Sequence, residues 1–187
     1  MTGDLKRETL RYLGYGKSLP DENTDMLIDE CIAELEMAAE PRSTFLMEED
    51  RVLFGATLGS DVDVLIRKES RRHVAKAAIL QAAAAVLIEE YCDECQRMIN
   101  LKLNEEGKGT LKRFSPGYGD FGLENQREIF SKLQLPKKIG LTLTDSLLMV
   151  PTKSVTAIMP IVSIDRSCDV GKNCSTCPNT ECEFRQE

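Results

Sequence analysis

Tryptophan is absent from this chain, histidine occurs once, and aromatic residues make up only 5% of it. A platform on which single-stranded nucleic acid could stack therefore has little to be built from. A basic excess is missing as well. Lysine and arginine number 24 against 31 aspartates and glutamates, and the net charge of −7 has the wrong sign for a general nucleic-acid face. Long apolar runs are also lacking. The longest, residues 77–88, is interrupted by Gln81 and is too short to cross a bilayer. Residues 1–10 alternate charged and apolar side chains without a secretory pattern. The expectation is a cytoplasmic protein with neither nucleic acid nor membrane among its partners.

What is present suits one globular domain: 187 residues, 42% of them hydrophobic and 29% charged. Apolar periodicity predicts helices over residues 5–13, from Pro20-Asp21-Glu22 to Pro41, over 60–70, from 71 to 100 or beyond, and over 123–135 with Pro136 as the stop. Ser60 and Asp63 form a possible capping pair at the third of these. The alanine-rich fourth is the expected central core helix. Short β-rich runs predict strands at 44–47, 52–57, 108–113, 147–150 and 154–164, the last two joined by a turn at Pro151-Thr152-Lys153. Gly55 and Gly59 mark a strand end or a tight strand-to-helix turn. The pattern reads as α+β, an antiparallel sheet with surrounding helices.

Chemistry concentrates in the run from Arg113 to Gly122. A guanidinium sits five residues ahead of Tyr118, across a turn made by Pro116 and Gly117, and Gly119 and Gly122 follow. Arginine presents a planar charged fork that suits a carboxylate, and tyrosine adds a flat face. Together they could hold a small zwitterion. On composition alone a plain surface turn is the stronger alternative.

The loop matches an Arg-x-x-Pro-Gly-Tyr pattern through Arg113, Pro116, Gly117 and Tyr118, and a second block follows at residues 138–146, then Pro151, Ser154 and Val155. In order and spacing the two blocks resemble the S-adenosylmethionine-binding activation domain of cobalamin-dependent methionine synthase. The resemblance is good over residues 110–160 and loose before them. It implies an activation-like domain over residues 1–165, with Arg113, Ser115, Pro116, Gly117 and Tyr118 binding S-adenosylmethionine. It also implies acidic ligands from the N-terminal half, at positions not assigned. Where that family carries an aromatic pair, this chain has Met159-Pro160. The implied function is reactivation of a corrinoid methyltransferase in trans, with the methionine synthase core as the expected partner. The partner carries the cobalamin, and a reductant such as flavodoxin supplies the electron for reductive methylation of Co(II).

Seven cysteines in a chain of this kind point to metal or redox chemistry before disulfides. Cys31 falls within an apolar helical pattern. Cys92 and Cys95 share a helix face, either packed or open to a redox partner. The other four, Cys168, Cys174, Cys177 and Cys182, crowd residues 166–187, a Cys-rich tail whose spacing suits a [4Fe-4S] cluster or a zinc ion. A tail with incidental thiols is the competing reading. If the tail centre were the active element, the chain would instead be an electron-transfer or metal-binding accessory of a corrinoid system. Arg67-Lys68-Glu69-Ser70-Arg71-Arg72-His73 is a basic cluster in an acidic chain, either a solvated junction or a docking patch for an acidic partner. His73 beside three arginines is a poor cation ligand and reads as structural.

Overall fold

Asp21 starts the first deeply buried helix. Its carboxylate accepts from Thr24 N at 3.1 Å and from Thr24 Oγ1 at 2.7 Å, which satisfies a donor the helix cannot. Helix α2 (Glu22–Ala38) then buries Ile28, Cys31, Ile32 and Leu35 along one stripe. The preceding helix α1 (Thr2–Tyr12) is tied to it by Lys6, which reaches Asp25 at 2.9 Å and Asp29 at 2.8 Å, one turn apart. The computed structural model describes residues 2–16, 18–168 and 170.

Strands β1 (Arg42–Met47) and β2 (Arg51–Thr57) form an antiparallel hairpin, closed where Glu48 N donates to Arg51 O at 2.8 Å. β2 also pairs with the long strand β6 (Ser154–Ser163), and β6 pairs with β3 (Lys108–Thr110). The order is β1-β2-β6-β3 and every pairing is antiparallel. Fold class is therefore as expected, α+β with helices around an antiparallel sheet. Among the described residues no helix is long and apolar enough to cross a membrane.

Alternation along the strands sends side chains to two cores. Val52, Phe54, Ala56 and Met159 join α2, helix α3 (Ser60–Ser70) and helix α4 (Val74–Asn104) in the larger one. Leu53 and Ile158 face the opposite way, toward helix α5 (Gln126–Leu133) and helix α6 (Leu135–Ile139). α4 is the central element, as its alanines suggested. Ala77, Ala83 and Ala84 are buried, which lets neighbouring elements approach its axis. At 1.5 Å per residue it is roughly 46 Å long, so its first half packs on α2 and α3 while its second half reaches β3.

Four sequence expectations are corrected. The helix after the loop ends at Leu133, Gln134 adopts φ 53°, and Pro136 lies in the first turn of α6, where a missing N–H costs nothing. The strand near 147–150 does not hairpin onto β6. β5 (Met149–Val150) pairs with β4 (Thr142–Leu143) in a separate two-stranded unit. Asp63 does not cap α3. Its carboxylate instead accepts from Thr152 N at 2.8 Å and Thr152 Oγ1 at 2.6 Å, pinning the connection into β6. The edge strand is regular only to Thr110, although the chain stays beside β6 until Phe114 exchanges hydrogen bonds with Ile158.

The two glycines near β2 separate. Gly59 takes φ 89° as a tight turn into α3. Gly55 lies where α6 approaches the sheet, and a Cβ there would come 2.7 Å from Leu135 Cδ2. Leu135 is fully buried and cannot swing away into solvent. Gly55→Val should lower stability by about 1–3 kcal/mol through overpacking, even though valine favours strands. Urea unfolding measures this, and an unchanged midpoint would mean that α6 is not packed tightly on β2.

Candidate functional site

The side chain of Arg113 does not project into solvent. It turns from the end of the sheet edge onto α4 and is only 14% exposed. Nη2 bonds Glu89 Oε2 at 2.9 Å, while Nη1 bonds Asp93 Oδ1 at 2.8 Å and Gln96 Oε1 at 3.0 Å. Positions 89, 93 and 96 repeat at i, i+4 and i+7, so one face of α4 presents all three. Gln96 is itself buried, and its Nε2 donates to Thr110 Oγ1 at 2.8 Å and to Leu111 O at 2.9 Å. Asn100, a turn further on, accepts from Thr110 N and Thr110 Oγ1. Helix, sheet edge and loop are joined through these amides.

Two carboxylates meet one guanidinium, which leaves a local charge of −1. Their exposures differ: 53% for Glu89 and 24% for Asp93. Asp93 is thus the more enclosed partner and Glu89 the one that solvent screens, its pairing worth below about 1 kcal/mol. Burial, the largest influence on Arg113, works to lower its pKa, but Cys92, Asp93 and Glu89 outweigh it and the net direction is upward. Cys92, on the same stretch of α4, is pushed up chiefly by burial, with Arg113 opposing. It remains a neutral thiol at pH 7, as expected of a packed helix face. Cys95 is half-buried, with Sγ 3.3 Å from Ser43 Oγ, which in turn accepts from Tyr91 OH at 3.1 Å.

The loop beyond Arg113 is a compact turn. Gly117 N donates to Phe121 O at 2.7 Å, and Tyr118 N donates to Ser115 O at 3.3 Å. Gly117 at φ 94° and Gly119 at φ 53° occupy backbone regions that a side chain would strain. The Phe114 and Phe121 rings stack beneath at 5.9 Å. Pro116 is buried, Ser115 half-buried, and the Tyr118 ring stands 69% exposed. With both N–H donors consumed inside the turn, backbone contacts to a ligand from Gly117 and Tyr118 fall to carbonyl oxygens, each with a second lone pair.

The second block lies around α5. Residues 142–150 form the β4–β5 hairpin, and Arg127 Nη2 of α5 donates to Asp145 O at 3.3 Å. Ser154 and Val155 open β6, and the bridge between Phe114 and Ile158 brings that strand beside the loop. Met159 is fully buried in the larger core and does not face the loop. Among the described residues, no hydrogen bond or ion pair joins Tyr118 to Arg113.

Of the tail cysteines, Cys168 is half-buried, while Cys174, Cys177 and Cys182 lie outside the described residues. Among the described residues no group of three or more His, Cys, Asp or Glu is arranged to hold a metal. Arg67, Lys68, Arg71, Arg72 and His73 are exposed at the α3–α4 corner, and His73 precedes α4 without capping it through its side chain. Sequence reading missed Glu89, Asp93 and Gln96. They lie in a stretch of α4 that also carries Glu90, Glu94 and Arg97, so spacing alone did not set them apart from a solvated face.

No protein-family model matches this sequence, and no curated protein matches it. Among solved structures the chain is similar to the MetH reactivation domain bound to AdoHcy, with a TM-score of 0.51 and 21% identity over 59% of this chain. It covers 38% of that chain. At this identity the likeness is one of fold.

Gln96→Leu keeps the volume but takes the buried donor from the Leu111 carbonyl and one bond from Thr110 Oγ1, and leaves Arg113 Nη1 held by Asp93 without the amide. The expected loss is about 1–3 kcal/mol, read from the denaturant midpoint. A variant as stable as the parent would show that Gln96 does not join helix to sheet.

Proposed function

We propose that this chain binds S-adenosylmethionine at Arg113 and the loop 115–118, and acts in trans in the reactivation of a corrinoid methyltransferase. The observation that carries the reading is the guanidinium set between an excess of carboxylates beside an open glycine turn. S-adenosylmethionine has a carboxylate, an ammonium and a sulfonium, and so needs one cation and surplus negative charge. The donor set on α4 and Arg113 has that composition. The fold neighbour supports the reading, since the AdoHcy bound to it is the same molecule without the transferable methyl group.

In this reading Arg113 takes the ligand carboxylate in place of Glu89. The released Glu89, together with Asp93, faces the ammonium. Asp93 and Gln96 hold the guanidinium so that little side-chain entropy is lost on binding. Ser115 and the carbonyls of Gly117 and Tyr118 offer acceptors along the turn, and the exposed Tyr118 ring covers one flank. When bound, the ligand supplies a methyl group already activated by the sulfonium, so no acid or base need be found on the protein. The contribution of the chain is positioning, which can be worth many orders of magnitude in rate. The corrinoid and the reductant, flavodoxin or another, belong to partner proteins, with the methionine synthase core the first candidate. A cytoplasmic location follows from that partnership.

Isothermal titration tests the binding half. Arg113→Ala should weaken S-adenosylmethionine by ~2–4 kcal/mol, about 30- to 1,000-fold, because a buried carboxylate loses its partner. Thermal unfolding of the same variant checks that the fold survives. Equal affinity in parent and variant would sink the assigned role. The transfer half is tested by mixing the chain, a reductant and S-adenosylmethionine with Co(II) corrinoid proteins. Methylcobalamin above the protein-free control is expected with at least one partner, and none with any would rule out reactivation.

A further inference from the structure

The two edges of the four-stranded sheet are finished differently. At the β3 edge both outward backbone groups of Thr110 are taken. Its N–H donates to Asn100 Oδ1 at 3.0 Å, and its carbonyl accepts from Cys168 N at 3.0 Å. Just before the strand, Gly107 O accepts from Ile164 N at 2.9 Å. At the opposite edge β1 has β2 as its one neighbour. A row of open donors and acceptors is a template for a further strand.

The register of the hairpin says which groups of β1 are open. Glu48 N donates to Arg51 O, so residue 48 turns its backbone toward β2, and residues 46, 44 and 42 do the same at the strand's period of two. Ser43, Phe45 and Met47 therefore turn theirs outward. Among the described residues no turn, loop or side-chain hydrogen bond reaches those N–H and carbonyl groups. The usual guards of an edge are missing too. β1 has no proline, glycine or lysine, and its one charged residue is Arg42 at the start. Apolar side chains flank the open row instead. Leu46 and Met47 are exposed, and Met98 of α4 is about half exposed. Met98 shares a helix face with Cys95, whose Sγ is 3.3 Å from Ser43 Oγ, and with Lys102, whose Nζ lies 5.3 Å from the centre of the Phe45 ring.

We propose that β1 pairs antiparallel with the β1 of a second copy of this chain, about a two-fold axis at Phe45, so that two four-stranded sheets become one. The strand is self-complementary in that register. Phe45 meets its own counterpart, Ser43 exchanges hydrogen bonds with Met47 of the second copy, Thr44 faces Leu46, and Arg42 faces Glu48. A shift by one residue is barred, because it would set outward-facing groups against residues that face β2. Charge agrees with the register. Each end of the joint brings Arg42, now in an exposed pair with Glu40, to the acidic turn Glu48-Glu49-Asp50. Within that turn Glu49 and Asp50 make no ion pair among the described residues, and both are exposed. Two-fold symmetry makes every favourable contact twice. The β3 edges become the outer strands of the joined sheet, so Arg113 and its carboxylates stay open in both copies.

Sedimentation equilibrium of the full chain, from micromolar to millimolar concentration, should show a reversible monomer–dimer equilibrium. Met47→Pro removes an outward N–H and none that β2 uses, so the fold should survive, as thermal unfolding checks. Its dimer dissociation constant should rise at least about tenfold, because symmetry removes the bond twice. Leu46→Lys, which places a charge on the edge, should weaken the dimer to a similar extent. Arg42→Glu, which turns an acid toward the acidic turn, should also weaken it. Leu19→Lys, at an exposed apolar residue outside β1, should leave it unchanged. A monomer at every concentration overturns the proposal and leaves β1 to a strand from a different protein. A dimer that both Met47→Pro and Leu46→Lys leave as tight as the parent's overturns it as well, since the interface then lies elsewhere.

Discussion

The amide of Gln96 is the joint on which the arrangement depends. It is buried, it gives both amide hydrogens to the sheet edge at Thr110 and Leu111, and its oxygen holds Arg113. A buried amide with every bond made is directional in a way that apolar packing is not. It fixes how α4 crosses the end of β3, and thereby where the guanidinium sits relative to Glu89 and Asp93. The apolar cores on the two faces of the sheet supply stability, while this polar joint supplies register.

That register explains how a stretch reading as a turn becomes a candidate ligand site. The loop 115–118 spends its N–H groups on itself and keeps its shape through two positive-φ glycines and the Phe114–Phe121 pair. Its charged contribution is made one residue earlier, by an arginine folded back onto a helix. The arginine is prepaired, and its more exposed partner is the one a carboxylate ligand would displace. A site of this kind exchanges one ion pair for another and avoids desolvating a bare charge.

Much of the architecture was legible because the periods were clear. The α2 stripe of Ile28, Cys31, Ile32 and Leu35 and the alanine-rich centre of α4 carried their burial in their spacing. The β1–β2 hairpin was marked by an acidic turn. The errors came where short elements compete. Pro136 reads as a helix stop until a left-handed Gln134 restarts the helix, and β5 reads as a partner for β6 until two residues at 142–143 claim it. Arg113 itself was legible, but its partners were not. Glu89 and Asp93 lie 24 and 20 positions away, and an acid on a helix looks solvated until the sheet edge is placed beside it. Met159 was legible as a missing aromatic, and its place in the core shows why an aromatic there would not face the loop.

The account reduces to one claim, that the charged amino-acid end of the ligand is what Arg113 and its carboxylates recognise. The direct measurement is the affinity of the parent protein for S-adenosylhomocysteine against 5′-methylthioadenosine, two neutral thioethers of which the second lacks both carboxylate and ammonium. The account predicts that methylthioadenosine binds at least about 30-fold more weakly, the loss of one charged hydrogen-bonded pair. Equal affinity for the two would contradict it.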